Sequence, residues 1–392
     1  MNKKHKNRDR FIIGITGKIG SGKSLVRRML ERLGCLSVDA DLLAHQVYRR
    51  GTPAYNGVVE AFGRGILDPS EEVNRRKLAE IVFSDTAALR KLEALTHPAV
   101  SSALKRLVEL SPLPIIAVEA IKLFESGFSQ YCDSVWLVDA PRDQVNDRLQ
   151  KTRGTATSEI SARVKSQVCL REKKEQATVL INNSSQIQDL WQQVQSAWES
   201  LLEKSSDFQR LAVKASEITN PFIEKYQMPT MELATTMADA YAVSSAFPAL
   251  VLEAGNLYDL YHPRDHSERI NLCFHLLCDR HVWIMPGSEL PASLFLANFT
   301  HFTGNIFTGL GKISGQPENA YREIFQQIEG FCRLHLISSL RINTFEKTKG
   351  MEKLGFCLVD GEKMRPSESK AEYNVYEKEI MPLIDLFKEQ ED

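Results

Sequence analysis

Residues 11–30 read FIIGITGKIGSGKSLVRRML, and this stretch decides the fold of the N-terminal half. Phe11–Thr16 is a short apolar run rich in Ile, as expected of a strand buried on both faces. Gly17-Lys18-Ile19-Gly20-Ser21-Gly22-Lys23-Ser24 then fits Gly-x-x-x-x-Gly-Lys-Ser/Thr, and an amphipathic stretch, Gly22–Leu33, follows at once. The order strand, glycine loop, helix makes this pattern a phosphate cradle. Glycines let backbone N–H groups turn inward around an anion, and the helix N-terminus adds the positive end of its dipole. Lys23 is predicted to reach the β/γ-phosphates and Ser24 to offer its hydroxyl to Mg²⁺. At ordinary glycine usage a chain this long shows the bare pattern by chance roughly once in a hundred. The flanking strand and helix make it rarer still, so a nucleoside triphosphate site is expected.

Further strand candidates follow outward from this loop: Leu36–Ala40, Pro114–Ala120, Ser134–Ala140 and Thr178–Ile181. Amphipathic stretches such as Asp85–Leu110 separate them. Strands alternating with helices imply right-handed crossovers and a doubly wound parallel sheet, here of five strands. A last helix, Gln186–Glu203, ends in the polar EKSSDFQ. The expected division is therefore a basic flexible tail (1–10), a P-loop α/β domain (11–204) and an α+β domain (205–392).

P-loop proteins include kinases, GTPases and mechanical ATPases, so the next strand end matters. It reads SVDAD, putting Asp39 and Asp41 where ligands sit in an open α/β sheet, outside the carboxyl ends of the strands. A carboxylate there can take the proton of an attacking hydroxyl, as a small-molecule kinase requires. Capping the following helix is the plainer alternative for Asp41.

With these residues in hand, the chain resembles the dephospho-CoA kinases. The likeness runs through GITGKIGSGKS, VDADLLAHQVY, GTPAYNGVVEAFGRGIL, NRRKLAEIVFSD, LEALTHPAV, LFESG, VWLVDAPRDQVNDRL and VLINNSS. It implies ATP and dephospho-CoA as substrates, with the ribose 3′-hydroxyl as acceptor. By position it implies Asp41 as general base and Thr16 as the Thr preceding the loop glycines. Gly20 through Leu25 match the nucleotide segment, and Asn183 the Asn near adenine. His97 matches a His-Pro pair on the acceptor side, where Pro98 could instead simply break a helix beside a solvated His. Arg148 and Arg153 match lid arginines that neutralise phosphoryl charge, while Arg163 reads equally well as part of a solvated face. Two departures stand out. Glu119-Ala120-Ile121-Lys122-Leu123-Phe124-Glu125 lacks the family's Pro and carries Lys122, which would reach a substrate phosphate or point to solvent. Lys18 replaces a usual Gly. The competing readings are a related kinase for another hydroxyl acceptor and a nucleotide- or CoA-binding protein without catalysis.

The second half offers strand candidates Ala249–Glu253, Arg269–Leu277, His281–Met285, Asn305–Gly311 and Leu334–Ile342, helices Glu318–Cys332 and Phe345–Leu354, and two final strands. Cys273, His275, Cys278 and His281 are possible zinc ligands, but the alternation of Leu272, Phe274 and Leu276 favours a half-buried hairpin. RINTFEKTKGMEKLGFCLV followed by YNVYEKEI resembles the closing half of GCN5-related N-acetyltransferases. There a strand, a short helix and two strands hold acetyl-CoA, and Asn343 and Leu354-Gly355-Phe356 match. Met351 stands where that family often has its acidic Tyr, and GKISGQPENAY lacks the family's pyrophosphate-loop spacing. An acetyltransferase-like fold that binds CoA or packs on the kinase is therefore expected, rather than acetyl transfer; Gly355 also reads as a plain helix C-cap.

Across 392 residues, 43% hydrophobic and 25% charged, composition is that of a globular protein. Lys+Arg (49) and Asp+Glu (50) nearly cancel, giving no support for nucleic acid as a partner. No apolar run reaches the ~18 residues of a membrane span. Seven scattered cysteines with no secretory leader fit reduced thiols and a cytoplasmic setting.

Overall fold

The computed structural model describes residues 9–146, 170–223, 229–243, 265–279, 281–285, 293–300, 303–308, 318–344, 349–364 and 373–380. Five strands, β1 (Phe11–Gly17), β2 (Leu36–Asp39), β3 (Ile115–Glu119), β4 (Ser134–Asp139) and β5 (Val179–Asn182), form a sheet in the order β2-β3-β1-β4-β5. Every pairing is parallel, with Phe11 opposite Ile115 and Ile13 opposite Ser134. The expected strands appear within a residue or so of their bounds. Helices on both faces are the reason β3 is buried at every position and apolar up to its last residue, Glu119.

Helices α1 (Lys23–Arg32), α2 (Ala40–Ala44), α3 (Pro53–Phe62), α4 (Arg75–Ser84) and α5 (Thr86–Leu110) connect the first strands, and α6 (Leu170–Gln176) and α7 (Ile187–Lys204) flank β5. Pro98 does not break α5, which runs through it for 25 residues. An interior Pro costs about 3 kcal/mol, and here packing offsets it. Leu92, Leu95, Ala99 and Val100 cover the cluster built on Val58, Leu78 and Val82.

Helices α8 (Ser206–Ile223), α9 (Met231–Val243) and α10 (His266–Asp279) come next. The hairpin reading of 269–281 is corrected here, because Cys273 and Cys278 lie within α10. Leu272, Cys273, Leu276 and Leu277 are each 0% exposed, and Phe274 and Cys278 are buried as well. A helix buried on several sides contains an accidental period-2 subset, which is what the alternation picked out. Burial pushes the Cys273 thiol up to about 12.

The C-terminal sheet comprises β6 (His281–Met285), β7 (Ser293–Thr300), β8 (Thr303–Thr308), β9 (Ser339–Thr344), β10 (Cys357–Met364) and β11 (Tyr373–Glu379), ordered β10-β11-β9-β8-β7-β6. Among the described residues only β8–β9 pairs parallel in it. Helix α11 (Glu318–Leu334) precedes β9, and α12 (Lys349–Lys353) sits between β9 and β10. Leu334 therefore ends a helix, and the expected strand begins only at Ser339. The α+β reading is borne out, as is the local order strand, short helix, two strands. The candidate strand Ala249–Glu253 and residues 1–8 of the basic tail lie outside the described residues. Arg10, at the tail's end, donates to the Ser111 carbonyl at 2.8 Å. No helix among the described residues is long and apolar enough to cross a membrane.

One hydrophobic core joins Ile13, Ile15, Met29 and Trp198 to Phe208, Leu211, Met237 and Leu272. Phe208 sets its ring edge-on to Phe11 at 4.7 Å and to Trp198 at 4.8 Å. Strands divide cleanly on either side of the proposed boundary at 204/205, while helices α8–α10 share the first sheet's core.

Candidate functional site

β1 delivers Gly17 to the carboxyl edge of the sheet, and α1 begins at Lys23. The loop between them needs its glycines for space and conformation. A Cβ on Gly17 would lie 2.2 Å from the Val138 carbonyl oxygen. Gly22 has φ +98°, and a Cβ there would lie 2.2 Å from Asn183 Nδ2. That amide donates to the Ser21 carbonyl at 2.9 Å, so Asn183, 7% exposed, braces the loop from the end of β5. Lys23 is buried and donates to the Lys18 carbonyl at 3.0 Å, spanning the loop. The Ser21 hydroxyl is buried with no hydrogen-bond partner among the described residues. Gly20 takes φ +75° and Leu25 closes the first turn on the Gly22 carbonyl at 3.1 Å.

Ser24, exposed at the start of α1, donates to Glu119 Oε1 at 2.8 Å. Glu119 ends β3 and also receives Arg27 Nε at 3.0 Å, with both residues buried. Arg27 turns a second nitrogen, Nη1, to Glu31 at 3.2 Å. Burial opposes that buried charge, but the carboxylates of Glu31, Glu119 and Asp39 outweigh it and raise the guanidinium's pKa.

Asp39 caps α2 by accepting from Leu42 N at 2.9 Å, so capping belongs to Asp39 and not to Asp41. Asp41 instead accepts the Ile121 N–H at 3.1 Å. Burial above all lifts its carboxyl to about 6, with Asp39 and Glu119 adding to the rise and the Ile121 N–H and Lys23 opposing it. The Ile121 carbonyl accepts Thr16 Oγ1 at 3.2 Å and Lys173 Nζ at 3.1 Å. Lys173 is buried on α6 and also pairs with Glu125 at 2.9 Å, while Lys174 reaches Asp139 at the end of β4 at 3.0 Å. Two successive lysines thus tie α6 across the ends of β3 and β4.

Beside Asp41 opens a cleft of ≈ 480 Å³, walled by Ile19, His45, Phe83, His97 and Lys122 among others. Lys122 pairs with Glu93 of α5 instead of pointing freely into solvent. The structure thus brings Thr16, the loop, Asp41, His97 and Asn183 to one edge of the sheet. Arg148, Arg153 and Arg163 lie outside the described residues. Glu119, Arg27 and Lys173 escaped the sequence reading. Glu119 left one signal, a carboxylate ending the otherwise apolar IIAVE.

An Mg²⁺ ion fits the oxygen chemistry here. Ser24 presents an exposed hydroxyl held by a carboxylate at the cradle's rim, and a hard cation prefers oxygen ligands completed by nucleotide phosphates.

The dephospho-CoA kinase family model matches residues 11–189. The chain is 39% identical over 190 residues to the dephospho-CoA kinase of Geobacter sulfurreducens, covering 48% of this chain and 96% of that protein. The Aquifex aeolicus dephospho-CoA kinase is 40% identical over 190 residues, with the same 48% and 96% coverage. Among solved structures, TT1252 from Thermus thermophilus aligns with TM-score 0.44 and 31% identity, covering 49% of this chain and 98% of that one. A GNAT-family acetyltransferase from Bacillus anthracis aligns with TM-score 0.28 and 10% identity, over 40% of this chain and 96% of that one. Through its N-terminal half, the chain belongs to the dephospho-CoA kinase family.

Proposed function

We propose that the chain transfers the γ-phosphoryl group of ATP to the ribose 3′-hydroxyl of dephospho-CoA, giving ADP and CoA. The observation that carries this reading is Asp41, a carboxylate raised to about 6 that lines the cleft beside the phosphate loop. A base titrating just below neutrality is ionised at pH 7 and still basic enough to accept the acceptor's proton. In this reading the backbone of Gly17, Gly20, Ser21 and Gly22 cradles phosphate, and Lys23 exchanges the Lys18 carbonyl for phosphate oxygens. Leu25 and Asn183 belong to the nucleotide side, and Thr16 and His97 to the acceptor side. Ser24 would hold Mg²⁺, which supplies positive charge against the transferring group. Arg148 and Arg153 are proposed to add charge from a lid. The reaction is placed in the cytoplasm.

The test is ADP release by the purified chain with Mg²⁺ and ATP, expected only when dephospho-CoA is present. Lys23→Ala should lose nucleotide binding and turnover together. Asp41→Asn should bind both substrates and turn over at least about a hundredfold slower. In the wild type, kcat/KM for the acceptor should fall as pH drops through about 6, the value for Asp41. Release of ADP with shikimate or a nucleoside monophosphate, but not with dephospho-CoA, would sink the reading.

A further inference from the structure

His45 and Tyr48 line two cavities. One is the cleft beside Asp41; the other is a hollow of ≈ 250 Å³ completed by Arg49, Glu72, Val73 and Arg75. Charge in the hollow is left over from local pairing. Arg50 and Arg64 pair with Glu71 at 3.2 and 2.7 Å, and the Glu72 carboxylate accepts the Arg50 N–H at 3.2 Å. Among the described residues Arg49 reaches only the Gln46 side-chain oxygen, at 3.4 Å. The Arg75 guanidinium has no hydrogen bond or ion pair among the described residues.

Arg75 also stands against local preference. Arg75, Arg76 and Lys77 open α4, where the helix dipole disfavours cations. Arg76 meets Glu80 at 3.6 Å, and Lys77 donates to the Gly65 and Leu67 carbonyls at 3.1 and 3.3 Å. Arg75 has no such local use. Burial and then the Arg75 charge hold His45 below its ordinary value, and its Nδ1 meets the Tyr48 hydroxyl at 2.6 Å. With Tyr48 donating to Nδ1, the ring's own proton sits on Nε2, where it can be donated to an anion.

Spacing links the hollow to the base. His45 follows Asp41 by four residues in helical conformation, with its N–H on the Leu42 carbonyl at 3.1 Å. Side chains so placed lie one turn apart, about 5–6 Å between Cβ atoms. In a nucleotide, C3′, C4′, C5′ and O5′ separate the 3′-oxygen from the 5′-phosphorus by a comparable span. A 3′-hydroxyl at Asp41 therefore has His45, at the edge of the Arg49/Arg75 hollow, within the span of its 5′-phosphate.

We propose that His45, Arg49 and Arg75 form the subsite for the 5′-diphosphate of the acceptor, so that this pocket selects nucleotide acceptors carrying a diphosphate. The inference rests on the acceptor reading above.

The test is calorimetric titration of the full chain, without ATP, by dephospho-CoA and by adenosine. Arg75→Gln and Arg49→Gln should each weaken dephospho-CoA about tenfold or more, as expected for loss of a charge-assisted contact to phosphate. Adenosine, which lacks the diphosphate, should bind wild type and variants alike, and ATP affinity should not change. Unchanged dephospho-CoA affinity in the double variant overturns the subsite. So does an equal loss for adenosine, which would mean a distorted cleft. Wild-type binding of dephospho-CoA without turnover sinks the kinase reading alone, because the subsite is still measured. If the wild type binds no dephospho-CoA, pyrophosphate is titrated in a Lys23→Ala background that silences the loop. Binding that Arg75→Gln removes then supports the subsite, and no binding overturns it.

Discussion

The two sheets handle their strand ends differently. In the first, every pairing is parallel, so β1, β2, β3, β4 and β5 all finish on one edge. Gly17, Asp39, Glu119, Asp139 and Asn182 end those strands, and the cradle and cleft are assembled from them and their neighbours. In the second sheet, among the described strands, only the neighbours β8 and β9 pair parallel, and β7 and β11 run against the other four, so polar strand ends divide between two edges. One ion pair at each sheet shows the same contrast. Arg27 and Glu119 pair in the interior of the first half. In the second half Arg341 and Glu377 face each other across β9 and β11 with more than a third of each side chain exposed. Even a residue at a motif position differs in kind: Met351 is 0% exposed and packs into the second core. Parallel order concentrates chemistry, whereas the mixed sheet distributes it.

The most severe way to break this comparison is Glu119→Ala. It leaves Arg27 buried with part of its charge uncompensated, and it frees the Ser24 hydroxyl. Removing one partner of a buried pair costs about 3–5 kcal/mol, measurable by urea denaturation, and turnover should fall with it. A loss below about 1 kcal/mol would mean that Glu31 alone holds Arg27.

Phe208→Ala comes next and sharpens where the first half ends. Phe208 is 0% exposed and fills the space between Phe11 and Trp198. Its loss should cost about 3 kcal/mol or more and lower the calorimetric transition that ATP stabilises. If the ATP-stabilised transition does not move, α8 is an appendage and the kinase half stands without it.

What the sequence made legible follows the same line. The strands of the first sheet and the glycine loop were readable because their signals are local: apolar runs, glycines at fixed offsets, a helix opening at Lys23. Glu119 was not, because its partner Ser24 lies 95 residues away and only the sheet order brings them together. Lys173 reads as one more cation in a charged helix until folding sets it under Ile121. Helix α10 was misread because burial on several sides erases the periodicity that distinguishes helix from strand.

A smaller effect, opposite in sign, is expected from Asp41→Asn. The Asp41 carboxyl ionises near 6 in the fold against an ordinary 3.8. It therefore favours the folded state only below its unfolded value, and that contribution is lost as pH rises through the folded one. Above that window the ionised group is a net cost. Asparagine should stabilise the protein by about 1–3 kcal/mol near pH 8 and by almost nothing near pH 3.5. Equal stabilities across that range would mean that Asp41 is better solvated than its surroundings imply. The variant that cripples turnover should thus be the more robust protein at neutral pH, as expected where an active-site group is held in an unfavourable setting.

The smallest effect is expected from Arg341→Ala, and it tests the other half of the comparison. Arg341 and Glu377 are directly opposed in the register of β9 and β11, with a 3.4 Å contact. Cross-strand pairs of opposite charge contribute a few tenths of a kcal/mol, and exposure of both partners lets water and salt screen most of that. The substitution should change stability by about 0.5 kcal/mol or less, and the difference should vanish in about 1 M salt, where the Debye length is about 3 Å. Glu119→Ala should keep most of its penalty in the same salt, because its partner is enclosed by protein. A large, salt-resistant loss at Arg341 would show that the second sheet also hides essential charge, and the contrast between the two halves would fail.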